Sequence, residues 1–141
     1  MRFRNSYHRP GLSALVTSRS SEDGLDRWLD ALLPLVEQVV VVATYPCPVP
    51  IHAKLRWCET DINAWPESWR DTECLRVGSR LAEHDWTIHL RPHEGMHAKD
   101  LAALRQTLEI AGPHPIALTL ENGTQEVRVW RSGWAGPCIG R

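Results

Sequence analysis

The chain has 141 residues, of which 43% are hydrophobic and 23% are charged. These values fit one globular domain with its own core and exclude a disordered chain. The formal net charge of −1 argues against a nucleic-acid-binding protein, because such proteins present a strong positive field.

Residues 1–11 have the composition of a basic arm, and residues 12–141 that of a single domain. No apolar segment of signal-peptide type follows the basic start, and the longest apolar run, residues 39–43, is too short to cross a bilayer. The four cysteines form no CxxC pair, which argues against a cysteine zinc site. We therefore expect a cytoplasmic protein with reduced thiols and no transmembrane segment.

The first half of the chain predicts a strand, a helix and a second strand. Residues 12–17 form a short apolar run, and Ser20 or Ser21 is available to cap the helix that follows. Pro34 marks the end of this helix, and residues 39–42 are four valines, typical of a strand covered on both faces. The apolar face of the helix is expected to contain Leu25, Trp28, Leu29, Leu32 and Leu33. This order predicts a βαβ unit and a parallel sheet.

The second half of the chain continues the alternation and ends in a hairpin. The patterns predict a strand at 54–59, a helix at 69–82, a strand at 86–90, a helix at 98–109 and a β-hairpin at 116–130. The hairpin turn is expected at Asn122-Gly123, the dipeptide most typical of two-residue turns. The expected fold is α/β, with a mainly parallel sheet flanked by helices and a C-terminal hairpin.

The segment HEGMH at residues 93–97 matches HExxH, the zinc-protease motif. This motif holds zinc only on a continuous helix, where its two histidines share one face. Pro92 precedes the segment and Gly95 lies within it, which favours a loop. A zinc hydrolase that uses His93, Glu94 and His97 is therefore the minor alternative for function.

Four segments, taken in order, resemble the N-terminal half of family 2 glycosyltransferases, which have the GT-A fold. Residues 12–42 resemble the family's opening strand, helix and second strand, and residues 65–90 resemble its next helix and the strand that leads to its acidic motif. Residues 91–108 occupy the place of that motif and the helix after it, and VRVWRSG at 127–133 resembles a later strand. The resemblance implies one GT-A-like domain over residues 12–141.

A ligand cleft is expected where the parallel strands end, because open α/β sheets bind ligands there. This predicts a cleft made of Thr17–Asp23, Ala43–Pro48 and Arg91–His97. By resemblance its ligand is a nucleotide-sugar. The residues expected to bind it are Thr17, Arg19, Ala43, Arg91 and His93. Trp65 and Trp69 are interpreted as packing residues rather than as sugar-stacking residues.

The chain departs from the family where the family binds base and metal. Ala43 stands where the family usually has an Asp for the nucleotide base. Arg91-Pro92-His93-Glu94 replaces the DxD-type motif that ligates Mn²⁺ or Mg²⁺. Only Glu94 remains as an oxygen ligand, so a divalent metal is doubtful and no metal-binding residue is assigned. Arg91 can instead bind a diphosphate through bidentate bonds.

Two functions follow from these departures. The first is a degenerate glycosyltransferase domain that serves as a non-catalytic or metal-independent module, binding a nucleotide-sugar or a protein partner. The alternative is an active glycosyltransferase that moves a sugar from a nucleotide-sugar to a surface polysaccharide or lipid acceptor. In that alternative Glu94 or Asp71 acts as the catalytic base, and Arg19 and Arg131 assist Arg91 at the diphosphate.

Overall fold

The computed structural model describes residues 9–21, 24–50, 52–61, 64, 66–94, 98–112, 114–120 and 122–132, without the side chains of Ser68, Asp71 and Ala98. Within this part the protein is α/β, with three helices and one six-stranded mixed sheet. The elements are β1 (Arg9–Ser18), α1 (Leu25–Leu32), β2 (Gln38–Ala43), β3 (Leu55–Glu59), α2 (Glu67–Leu81), β4 (His84–Leu90), α3 (Ala98–Ile110), β5 (Ile116–Thr119) and β6 (Gln125–Arg131). A short 3₁₀ turn, Leu33–Leu35, follows α1 and contains Pro34 at its start.

The strands lie in the order β3-β2-β1-β4-β6-β5. Strands β3, β2, β1 and β4 are parallel neighbours. Strand β6 pairs with β4 in the antiparallel direction, and β5 pairs with β6 likewise. The predicted α/β class is confirmed, but the sheet is mixed because the hairpin extends it with antiparallel strands.

Helices cover both faces of the sheet. On one face, Leu12, Ala14 and Val16 of β1 pack in a core cluster with leucines of α1 and α3. On the other face, Leu15 packs with Cys74 and Leu75 of α2. The valines of β2 alternate between these two clusters and are fully buried, which explains why their sequence shows no polar alternation.

The start of β1 lies before the predicted residue 12, and a glycine lies within the added segment. Strand β1 begins at Arg9, and its register with β4 shifts between Arg9 and Leu12. Gly11 lies within this irregularity at φ 131, and a Cβ there would lie 2.7 Å from Glu37 Cγ. The Glu37 carboxylate accepts a hydrogen bond from the backbone N–H of Leu12 at 2.7 Å. Glu37 therefore fills the space that only a glycine leaves open.

The start of α1 also differs from the prediction. The expected cap by Ser20 or Ser21 is wrong, because the N-cap residue is Gly24 and no side chain caps the helix there. Gly24 adopts a left-handed conformation, with φ 59 and ψ 55, which a glycine reaches without strain.

The C-terminal hairpin forms where it was predicted, although its loop between Leu120 and Thr124 has three residues rather than two. Leu120 donates its backbone N–H to the carbonyl of Thr124 at 2.8 Å, which closes the loop between β5 and β6. Within the loop, Asn122 Oδ1 accepts the backbone N–H of Thr124 at 3.0 Å, and Gly123 has φ 84. These are the usual roles of Asn and Gly in tight turns. In the described part of the chain, none of the helices is both long and apolar enough to cross a membrane.

Candidate functional site

Strands β1, β2, β3 and β4 end at one edge of the sheet, here called the carboxyl edge. Ser18 at the end of β1 pairs with Ala43 at the end of β2, and Ala43 pairs with Glu59 of β3. On the other side of β1, Val16 pairs with Leu90, the last residue of β4. Strands β2 and β3 lie on one side of β1, and β4 lies on the other. The point where strand order reverses is therefore between β1 and β4. The described parts of the three predicted cleft segments therefore meet at this edge.

The loop after β4 is not helical where the HExxH match begins. Residues Arg91 to Glu94 form a turn in which Glu94 N–H donates to the Arg91 carbonyl at 3.1 Å. His93 has φ 65, a left-handed conformation that excludes it from an α-helix. His97 lies outside the described residues. The geometry at His93 removes the helical arrangement that the zinc hydrolase alternative requires, and the described residues contain no group of three potential metal-ligating side chains.

Glu94 is held by a buried arginine of the hairpin. Arg128 NH1 donates to Glu94 Oε1 at 2.7 Å, and Arg128 NH2 donates to Glu94 Oε2 at 2.9 Å. The Arg128 side chain is 3% exposed and that of Glu94 is 29% exposed. The backbone N–H of Arg91 also donates to Glu94 Oε1. Both carboxylate oxygens of Glu94 are therefore occupied by donors from this chain.

Two further charged side chains complete an Arg–Glu cluster, defined as Arg91, Glu94, Glu126 and Arg128. Arg128 Nε donates to Glu126 Oε1 at 2.9 Å, and Arg128 NH1 also donates to the carbonyl of His89 at 3.0 Å. Arg91 NH2 lies 3.4 Å from Glu126 Oε1 at the exposed rim. The cluster contains two positive and two negative groups, so its formal charges balance.

The contacts in the cluster stabilise the charged forms of Glu94, Glu126 and Arg128. Burial raises the pKa of Glu94. Hydrogen bonds from Arg128 and from the Arg91 N–H, together with the charges of both arginines, lower it by more. The pKa of Glu94 therefore lies below its ordinary value. The hydrogen bond from Arg128 likewise lowers the pKa of Glu126. The Arg128 pKa is raised, chiefly by its hydrogen bond to Glu94. Glu94 is thus a firmly ionised carboxylate and a weak proton acceptor.

The His93 side of the loop contacts α1 on the other face of the sheet. Trp28 Nε1 donates to the carbonyl of Glu94 at 3.3 Å. The rings of Trp28 and His93 are 6.0 Å apart between centroids and tilted by 50°. His93 itself is exposed to solvent. The loop is therefore attached to the domain at two points, by Arg128 on one side and by Trp28 on the other.

Three other predicted binding residues lie at the ends of β1 and β2. Thr17 is half-buried and pairs with Val42 in the sheet. Arg19 is exposed, and its carbonyl accepts a hydrogen bond from Thr44 Oγ1 at 2.9 Å. Ala43 is fully buried in the core, and its carbonyl accepts the N–H of Thr60. The methyl group of Ala43 is therefore not accessible to a ligand. At the end of β2, only the residues that follow Ala43 reach solvent.

The remaining predicted residues are dispersed. Asp71 belongs to α2, but its side chain is outside the described part of the structure, as is Trp65. Trp69 is 58% exposed in the first turn of α2, so its interpretation as a packing residue is wrong. Arg131 was expected beside Arg91, but it pairs with Trp86 near the start of β4, and its guanidinium lies 4.3 Å from the Trp86 ring centroid. Because β6 runs antiparallel to β4, its last residue lies at the edge opposite the carboxyl edge.

Sequence reasoning missed Arg128 and Glu126. The segment Val127-Arg128-Val129-Trp130 contained the available signal, since a charged residue inside an apolar strand requires a buried partner. The identity of that partner depends on which strand β6 joins and in which direction. A pattern along one strand does not specify either.

A comparison of the chain with models of known protein families gave no match, and a comparison with curated proteins gave none either.

Proposed function

We propose that this protein is a non-catalytic, metal-independent nucleotide-sugar-binding module that resembles a family 2 glycosyltransferase. One observation carries the proposal: Arg128 occupies Glu94, the carboxylate that stands in the place of the family's metal-binding motif. A positive side chain is thus already present where the resemblance would require a divalent cation.

A metal ion would have to displace Arg128 from Glu94. That exchange would leave a guanidinium of 3% side-chain exposure without its main counter-charge. Removing one partner of a buried ion pair is strongly unfavourable, because the remaining charge has lost its solvation and its partner. We therefore expect nucleotide-sugar binding to be independent of Mn²⁺ and Mg²⁺.

The same contacts argue against Glu94 as a catalytic base. A general base works best when its pKa lies near the working pH, whereas the Glu94 pKa is below its ordinary value. The ion pair would also have to break before the carboxylate could accept a proton. The alternative of an active glycosyltransferase would then depend on Asp71 or on a residue not yet assigned.

Arg91 is the residue best suited to bind the ligand. Its side chain is 55% exposed at the carboxyl edge, next to the point where strand order reverses. A guanidinium there can donate two parallel hydrogen bonds to a diphosphate. The exposed ring of Trp69 belongs to the helix that follows β3, and helices in this position begin at the carboxyl edge. It is available to stack on a base or sugar face.

The test is an isothermal titration with UDP-, GDP- and TDP-sugars, each with and without Mn²⁺. We expect at least one donor to bind the wild type with equal affinity under both conditions. Arg91→Ala should abolish that binding. Arg80→Ala is the matched control, because Arg80 is an exposed arginine in the last turn of α2, and it should bind as the wild type does.

Incubation with each bound donor then addresses catalysis. No release of nucleoside diphosphate, with or without candidate lipid acceptors, is the expected result. Binding that requires Mn²⁺, or turnover of any donor, would contradict the proposal and favour the active enzyme, and loss of that turnover in Glu94→Gln would assign Glu94 to it. If no donor binds, the nucleotide-sugar ligand is wrong.

A further inference from the structure

The ion pair between Arg91 and Glu126 lies at the rim of the Arg–Glu cluster. Arg91 NH2 and Glu126 Oε1 are 3.4 Å apart, and the two side chains are 55% and 37% exposed. Exposed pairs of this kind contribute about 0.2–1 kcal/mol in measured cases. Arg91 can therefore exchange Glu126 for another anion at small cost.

Glu126 does not depend on Arg91 for its position. Its Oε1 atom accepts the Nε–H of Arg128 at 2.9 Å. Arg128 in turn is fixed by Glu94 and by the carbonyl of His89. The carboxylate is thus held beside Arg91 by a buried side chain, whether or not Arg91 stays in contact with it.

We infer that Glu126 is an affinity-determining residue of the proposed site, because its carboxylate competes with the diphosphate of the ligand for Arg91. The inference rests on the proposed function. A ligand phosphate must take the place of one carboxylate oxygen on the Arg91 guanidinium and must approach the remaining negative charge. Glu126 therefore weakens the binding of every anionic group at Arg91.

The test uses inorganic pyrophosphate as the probe and Glu126→Gln as the variant. The glutamine amide oxygen can still accept the Arg128 Nε–H, so the variant removes the charge and keeps the hydrogen bond. We expect pyrophosphate to bind Glu126→Gln about 1.4- to fivefold more tightly than wild type, the range that corresponds to one exposed ion pair. Urea unfolding of the variant verifies that the domain remains folded.

Two further variants separate the contact from the change in net charge. Glu109→Gln makes the same charge change at an exposed position near the end of α3 and should leave pyrophosphate affinity unchanged. Arg91→Gln combined with Glu126→Gln should remove the gain. A gain that persists without Arg91, or that Glu109→Gln reproduces, would overturn the inference.

Equal affinities of wild type and Glu126→Gln, or no pyrophosphate binding by either protein, would also overturn it. The proposed function is decided separately, by the titration of wild type with nucleotide-sugars. Glu126 can thus fail as a competitor while a nucleotide-sugar still binds, and the two failures are distinguishable.

Discussion

Arg128 binds Glu94 through both of its terminal nitrogens, although the two residues are 34 positions apart in the chain. The pair joins the loop after β4 to the hairpin strand β6. Because the guanidinium is almost fully buried, the pair also determines which charges remain available at the carboxyl edge.

Truncation of Arg128 should destabilise the protein. Arg128→Ala leaves Glu94 without its main counter-charge. We expect the free energy of unfolding to fall by about 2–4 kcal/mol. The loss is smaller than for a fully buried pair because Glu94 is partly exposed. Urea unfolding measures the change. Arg80→Ala, at an exposed arginine, should change it by less than about 0.5 kcal/mol. Equal effects of the two substitutions would show that the buried pair contributes nothing.

The same truncation should create a cation site. Glu94 and Glu126 both contact the guanidinium of Arg128, so its removal leaves two carboxylates around one space. Hard divalent cations prefer such oxygen ligands. We expect Mn²⁺ or Ca²⁺ to raise the Tm of Arg128→Ala and to leave that of wild type unchanged. Adding Glu94→Gln should abolish the effect, and a Tm rise in wild type would show that Arg128 does not exclude cations from the cluster.

Stability should fall in mild acid because of His84. Burial lowers the pKa of this histidine below its ordinary value of 6.5, despite the opposing charges of Glu37 and Glu83. Between the folded-state pKa and 6.5 the unfolded chain binds more protons, so the free energy of unfolding rises with pH. The contribution is complete above 6.5 and is lost as the pH falls towards the folded-state pKa.

The variant His84→Asn tests this assignment. Ser13 Oγ donates its hydrogen to Gln38 Oε1 and lies 3.3 Å from His84 Nδ1, and an asparagine can present its side-chain N–H at a similar place without titrating. Urea unfolding at about pH 7.5 and about pH 5.5 should show a smaller loss of stability in the variant than in wild type. Identical losses would assign the pH dependence to other groups.

The contact of α2 with β1 should not tolerate a methyl group at Gly78. A Cβ there would lie 2.0 Å from Leu15 Cδ1, and Leu15 is fully buried. Overpacking of this kind costs about 1–3 kcal/mol. The gain in helix propensity from Gly to Ala, about 0.5–1 kcal/mol, offsets only part of it. Urea unfolding of Gly78→Ala should therefore show a net loss of stability.

Gly112→Ala is the control for this prediction, since a Cβ at that position would lie more than 4 Å from every described atom outside its chain neighbours. It should leave the free energy of unfolding within about 0.5 kcal/mol of wild type or raise it slightly. Leu15→Val in the Gly78→Ala background should recover part of the loss by making room. If Gly78→Ala is as stable as wild type, the packing of α2 is looser than the distances indicate.

Much of the fold could be predicted because it depends on local pattern. The valines of β2, the alternation in β4 and the Asn122-Gly123 turn each identified an element that the structure contains. Element ends were less predictable where backbone conformation decides them. Gly11 lies inside β1 and Gly24 at the N-cap of α1, both with positive φ values, and a hydrophobic pattern carries no such information.

The candidate site could be located but not assembled. The positions of Arg91 and Glu94 followed from the rule that parallel strands place their ends at one edge. Their partners did not follow, because Arg128 and Glu126 come from a strand that enters in the opposite direction. The same unknown direction explains why Arg131 was expected at the wrong edge.

The turn between β5 and β6 has a consequence for the loop after β4. Side chains of a strand alternate between the two faces of a sheet, so a slip of one residue in the pairing of β6 would turn Arg128 away from Glu94. Turn geometry fixes hairpin register, and Gly123, with φ 84, has a conformation that suits few other residues. Correct assembly of the Arg128–Glu94 pair therefore depends on a glycine that contacts neither partner. A bulky residue at position 123 would disturb the carboxyl edge by shifting the pairing register of β6.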